Sequence, residues 1–254
     1  MKNNKTANLL KTTVLLSLML LQAAYAAEPS LVFACPLKPD PPPVIDGDIR
    51  EWERLPAFEV EEKNVTWGKA KWEGEEDLSG SFKVCYDSNY FYLLAEVVDE
   101  KITIAGGKEM FRCDHVEMTF VPRYEENAKG PMESDWRIIA FSPGTQQPTG
   151  DIFSDLSAEA YFAAPSETDS SSVDVASMPR EDGYLIEARI PWKLLGVTKR
   201  PEIGDVFGFD LHLSDSDSGL DQETLTSLNP TKWRGRQKEN ILKLVLTGTD
   251  GIIK

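Results

Sequence analysis

The chain has 254 residues, 42 of them acidic against 27 basic, and a formal charge of −15. That balance repels polyanions and excludes nucleic acid and anionic lipid as partners. Three cysteines are too few for a disulfide scaffold, and two histidines are far short of a histidine-rich metal site.

The chain opens "MKNNKTANLLKTTVLLSLMLLQAAYAAEPS". Lys2, Lys5 and Lys11 precede an apolar run from Val14 to Leu21, and Ala24-Tyr25-Ala26 carries the small-x-small pattern of a cleavage site. The run is too short for a membrane span and is flanked as in a secretory signal. Residues 1–26 are therefore expected to be a signal peptide, cut near Ala26 to release a secreted or periplasmic protein. Losing three lysines and no acid, the chain moves from −15 to −18. No later stretch approaches the roughly 20 apolar residues of a membrane helix. Residues 27–43 end in "PLKPDPPP" and are expected to be an extended tether without capacity to pack. A folded domain is expected over 44–254.

From Val44 onward the dominant period is two. In "SFKVCYDSNYFYLLAEVVD", Phe82, Val84 and Tyr86 alternate on a first strand and Asp87-Ser88-Asn89 supplies a turn. The second strand, 90–98, is apolar on both faces and is expected to be central. Further strands are expected at 115–121, 135–142, 183–190, 206–214 and 241–246. Helix is slight: one turn over 50–55, and a short helix in "IPWKLLG" with Pro191 at its start and Gly196 at its end. Segments 124–134 and 143–170 read as loops. Seven or more strands with turn signals between them predict an all-β, antiparallel, jelly-roll-like β-sandwich with one or two short helices.

No G-x-S-x-G, H-E-x-x-H or phosphate-cradling glycine loop is present. The acids cluster in loops such as "EGEED" and "SDSDSGLD", whose plain reading is a solvated surface. A non-catalytic protein is expected. In "HVEMTFV", Val116, Met118 and Phe120 face one side and His115, Glu117 and Thr119 the other. Asp210 and His212 oppose the inward Phe207, Phe209, Leu211 and Leu213. Arg137 shares a face with Ile139 and Phe141. Glu117 and Arg137 are expected to stand on one semi-polar sheet surface, for which periodicity alone suggests nothing more than a weak ion pair. Two aromatics at strand entrances, Phe111 and Trp233, shift that reading. Aromatic rings offer rigid apolar area that suits the C–H face of a sugar, while acids and arginine bond its hydroxyls.

The order of motifs resembles the family-9 carbohydrate-binding modules. "VIDGDIREWERLPAF", "FKVCYDSNYFYLLAEVVDE", "FRCDHVEMTF", "DWRIIAF", "GYLIEARIPWKLLG", "IGDVFGFDLHLSDSD" and "KWRGRQKENILKLVL" follow one another across nearly all of 44–246. The resemblance implies a β-sandwich without hydrolytic activity that holds oligosaccharide or polysaccharide chain ends between two rings. Those rings would be Phe111, where the family has tryptophan, and Trp233, with Glu117, Arg137 and Asp215 bonding hydroxyls. Tyr92 and Trp192 fall on framework positions. No cofactor is required, although structural calcium is common in the family. "IDGD" (Asp46, Asp48) and "SDSDSGLD" (Asp215, Asp217, Asp221) offer the oxygen ligands calcium takes, with exposed turn acids as the plainer reading. Two rival readings stand beside this one. One is a haem-b redox sandwich using Met110, His115, Met118 or His212 as axial ligands, and the other is a cell-surface protein-interaction domain without sugar binding.

Overall fold

The computed structural model describes residues 31–144, 157–230 and 237–253. The expected signal peptide and Trp233 lie outside the described residues. Among the described residues, thirteen strands are arranged in two sheets. The smaller has the order β2 (Phe58–Val60), β4 (Ser79–Tyr86), β5 (Tyr90–Val98), β10 (Gly183–Pro191), β9 (Asp174–Arg180). The larger runs β1 (Val32–Pro36), β13 (Leu242–Thr247), β11 (Val206–Asp215), β6 (His115–Val121), β7 (Arg137–Ser142), β8 (Glu159–Ala164). To it are added β12 (Thr224–Thr226), which pairs with β11, and β3 (Val65–Trp67), which pairs with β12. All pairings are antiparallel except β1 with β13. The all-β sandwich is as expected.

Alternation builds the space between the sheets. Phe82, Val84 and Tyr86 of β4, Phe91, Leu93 and Ala95 of β5, and Val116, Met118 and Phe120 of β6 are all buried in one core. Ring pairs fill its centre: Phe91–Phe120 at 6.0 Å, Phe91–Phe209 at 5.9 Å and Trp192–Phe207 at 5.5 Å between centroids. Strand β5 is central, as its two apolar faces require. Its outer residues Tyr92 and Leu94 pack with Cys85 and Leu185 beneath Trp52 and Leu55.

The sequence motifs become clasps. Asp87 takes the amides of Asn89 (2.7 Å) and Tyr90 (2.8 Å) and the Tyr92 hydroxyl (2.9 Å), while its carbonyl accepts from the Trp192 indole at 2.8 Å. Tyr92 and Trp192 are framework, as expected. Glu187 is fully buried on the outer face of β10 and accepts from the Gly47 amide (2.5 Å), the Asp46 amide (3.2 Å) and the Trp52 indole (2.6 Å). The opening "IDGDIREW" therefore folds around one carboxylate. Glu187→Ala strips these donors of their acceptor at about 1–3 kcal/mol each. It is expected to lower stability by about 3–5 kcal/mol, read as a shifted urea midpoint at unchanged slope.

Three expectations are corrected. Val32–Pro36 is a strand pairing with β13, and Cys35 is fully buried, so this part of the 27–43 tether does pack. Within the expected 143–170 loop, Glu159–Ala164 forms β8 on the edge of the larger sheet, and Asp174–Arg180, not expected as a strand, forms β9. In "IPWKLLG", β10 runs to Pro191, and a succession of three-residue turns replaces the helix. Gly196 ends them at φ +79°, a backbone shape that side chains resist.

Candidate functional site

The outer face of the larger sheet carries Glu117 of β6, an expected site residue, and His212 of β11. Pairing sets Tyr161 of β8, Ala140 of β7, Glu117 of β6 and His212 of β11 in one row across four strands. Above it, a 3-10 turn over Gly107–Arg112 presents Phe111, half-buried, edge-on to His115 (5.1 Å) and to Tyr161 (6.3 Å). His115 is fully buried: its Nδ1 lies 2.8 Å from the Cys113 carbonyl and its Nε2 has no hydrogen-bond partner among the described residues. Burial pushes this imidazole down, so it is neutral. His212 Nδ1 bonds the Thr226 carbonyl at 2.8 Å, which turns Nε2 toward Asp210 (3.6 Å) and Glu117 (3.9 Å).

The two acids beside His212 differ. Asp210 is buried and consumed by the Ser227 hydroxyl (2.7 Å) and the Leu211 and Leu228 amides (2.9 and 3.0 Å). Glu117 is partly exposed and accepts no hydrogen bond from a described residue. It is the carboxylate with oxygens to offer.

Arg137 does not join it. Register places Arg137 opposite Phe120, on the inward side, whereas Glu117 points outward. The expected shared surface is therefore corrected. The guanidinium instead donates to the carbonyls of Leu194 (2.9 Å) and Asp135 (2.6 Å), fastening the turns after β10 to the sheet end. A Cβ on Gly196 would lie 3.0 Å from its Nη2.

Asp215 is also elsewhere. It is buried at the end of β11 with Asp99 and Asp114, carboxylate oxygens of all three lying within 4.8 Å of one another. A second group, Asp77, Glu100 and Asp217, adjoins it. Donors exist for some of these oxygens: Thr224 Oγ1 to Asp215 (2.8 Å), the Ser216 amide to Asp114 (2.7 Å) and the Lys101 amide to Asp99 (2.8 Å). Asp99 Oδ2, Asp217 Oδ1 and the fully buried Tyr184 hydroxyl have no hydrogen-bond partner among the described residues. Burial first, then mutual repulsion, pushes the carboxyls up: Asp99 to about 6, Asp215 to about 7 and Asp114 to about 9. Buried, oxygen-only, orphaned and unmatched by any cation among the described residues, the group fits a hard divalent ion of the calcium type. Lacking histidine and cysteine, it does not fit zinc. The rival turn "IDGD" is spent internally, Asp48 pairing with Arg50 and Asp46 accepting the Asp48 amide at 2.9 Å.

Residues 45–237 match the family model described as "Carbohydrate family 9 binding domain-like". The chain belongs to this family. Curated relatives include "Exoglucanase XynX" of Acetivibrio thermocellus, 25% identical over 215 residues, and "Endo-1,4-beta-xylanase A" of Thermotoga maritima, 28% identical over 208. These matches cover 84% and 80% of this chain but 17% of either relative, so the chain spans about a sixth of their length. Among solved structures, a family 9 carbohydrate binding module from Caldicellulosiruptor kristjanssonii in complex with cellotriose superposes with a TM-score of 0.63. It is 18% identical, covering 88% of this chain and 98% of that one. Its glucose complex matches with the same score and identity. At that identity the likeness concerns the fold.

Within this family 9 domain, the motif acids converge. Asp99 closes V-x-D, Asp114 opens D-x-V-E and Asp215 closes the "HLSD" strand. Sequence reasoning offered the acids of "IDGD" or "SDSDSGLD" as calcium ligands, with exposed turn acids the plainer reading, and did not single out Asp99 and Asp114, although both stand in the quoted motifs. Tyr161 was missed because its strand was read as loop. The haem reading fails on geometry. Met118 points into the core while His115 and His212 point outward, Met110 is fully buried in the turn over Gly107–Arg112, and packed rings fill the space between the sheets.

Proposed function

We propose that this chain is an exported, non-catalytic domain that binds the end of an oligosaccharide or polysaccharide on the outer face of its larger sheet. The observation that carries this is an aromatic ring, Phe111, edge-on to His115 and Tyr161 on the sheet face that also carries a carboxylate, Glu117, whose oxygens accept no hydrogen bond from a described residue. A ring face takes the apolar side of a sugar and a free carboxylate takes its hydroxyls. Membership in family 9, and structural neighbours solved with cellotriose and glucose, support the ligand class. Relatives named for xylanase and exoglucanase activity share about a sixth of their length with this chain, which supports a binding role apart from hydrolysis. Trp233, in the polar stretch before β13, is the expected second ring, and the opening segment supports export. The Asp99–Asp114–Asp215 group is assigned a structural calcium ion that ties β5 of one sheet to β6 and β11 of the other.

Isothermal titration of the purified chain with glucose, cellotriose and xylobiose tests the reading. Saturable binding of at least one is expected. Silence across the panel from folded protein would remove it.

A further inference from the structure

We propose that Tyr161 contacts the second ring of a bound sugar chain and makes the site selective for oligosaccharides over monosaccharides. This inference rests on the reading of the outer face given above. In the row Tyr161–Ala140–Glu117–His212, Ala140 is fully buried and His212 nearly so, whereas Tyr161 and Glu117 both reach solvent. Both end in polar atoms that no described residue satisfies: the Glu117 carboxylate and the Tyr161 phenol. The residue between them, Ala140, contributes only a methyl group.

Distance decides which part of a ligand each can touch. Two strand spacings separate the Cβ positions of Glu117 and Tyr161, about 10 Å. One pyranose ring bonded by Glu117 does not extend across that gap, whereas the next ring of a linear chain does. Phe111 stands beside Tyr161, its ring 6.3 Å from that of Tyr161 at 72°, so the two form an aromatic corner rather than a stack. The corner is held as a unit. At the start of β8, Glu159 accepts the Gly107 amide at 2.6 Å, fastening the strand of Tyr161 to the turn that carries Phe111. A Cβ on Gly106 would lie 2.9 Å from the same carboxylate oxygen, so glycine permits the approach. On the inward side of β8, Ala160 and Phe162 are buried in the core and fix which face Tyr161 occupies.

Titrations of wild type, Tyr161→Ala, Tyr161→Phe and Glu117→Gln with glucose and cellotriose test the inference, with melting temperature as a control for folding. Tyr161→Ala is expected to lose about ten-fold in cellotriose affinity with glucose affinity nearly unchanged, and Tyr161→Phe to fall between it and wild type. Equal losses for both ligands, or none for either, would overturn the selectivity role. If Tyr161→Ala does not fold, the conservative phenylalanine variant alone must still reduce the cellotriose-to-glucose ratio, and an unchanged ratio counts against the inference. Wild type that binds neither sugar would defeat the reading of the face itself. Loss in Glu117→Gln with wild-type behaviour in both Tyr161 variants would defeat the Tyr161 inference alone.

Discussion

Millimolar calcium is expected to raise the melting temperature by about 5–10 °C over the chelated protein. At a hundred-fold excess over its dissociation constant, a ligand of the folded state contributes about 2.7 kcal/mol. A chain of this size gains about 2–4 °C per kcal/mol. The physical source is the buried group of Asp99, Asp114 and Asp215, which in the absence of a cation keeps charges together away from water. The pH dependence has a definite sign. These carboxyls, raised to about 6, 9 and 7, hold protons more tightly in the folded chain than in the unfolded one. Chelated protein should therefore gain stability as pH falls from about 9 to about 5. Calcium competes with those protons, so its stabilising effect should be largest near pH 8.5 and fade toward pH 5. A melting temperature indifferent to calcium and EDTA at both pH values would remove the cation from the account.

Glu117→Gln is expected to weaken sugar binding by about 10–100-fold. The substitution keeps shape and removes the charge from the acceptor, and hydrogen bonds to charged groups contribute about 1.5–3 kcal/mol. Because Glu117 bonds no described residue and stands partly exposed, stability should change by no more than about 0.5 kcal/mol. Titration and thermal melting of one preparation check both halves. A large fall in melting temperature would make Glu117 a structural partner of His212, 3.9 Å away, rather than a ligand contact.

Period-two alternation made β4, β5, β6 and β11 legible, because each has a buried face whose residues recur at every second position. Strands β1, β8 and β9 were not. The five residues of β1 stand beside a proline run, and their partner β13 lies some 210 positions away, a pairing that local pattern does not encode. Strands β8 and β9 are edges, where small and polar residues such as Ala163, Ala164, Ser177 and Pro179 blunt the alternation.

The site was legible in part for a related reason. Alternation fixed Glu117 on the outward face, and the same rule, applied to both strands at once, separates it from Arg137. The acids illustrate the opposite limit. Asp99, Asp114 and Asp215 stand over a hundred residues apart at the extremes, each at a strand end, and only the stacking of two sheets brings them within reach of one ion.

Hydrogen exchange of the purified chain with and without saturating cellotriose locates the bound sugar as well as detecting it. Slower exchange is expected in the turn around Phe111, in β6 around Glu117 and in β8 around Tyr161, with β4 and β5 of the smaller sheet unchanged. Protection confined to the smaller sheet would overturn this placement of the ligand.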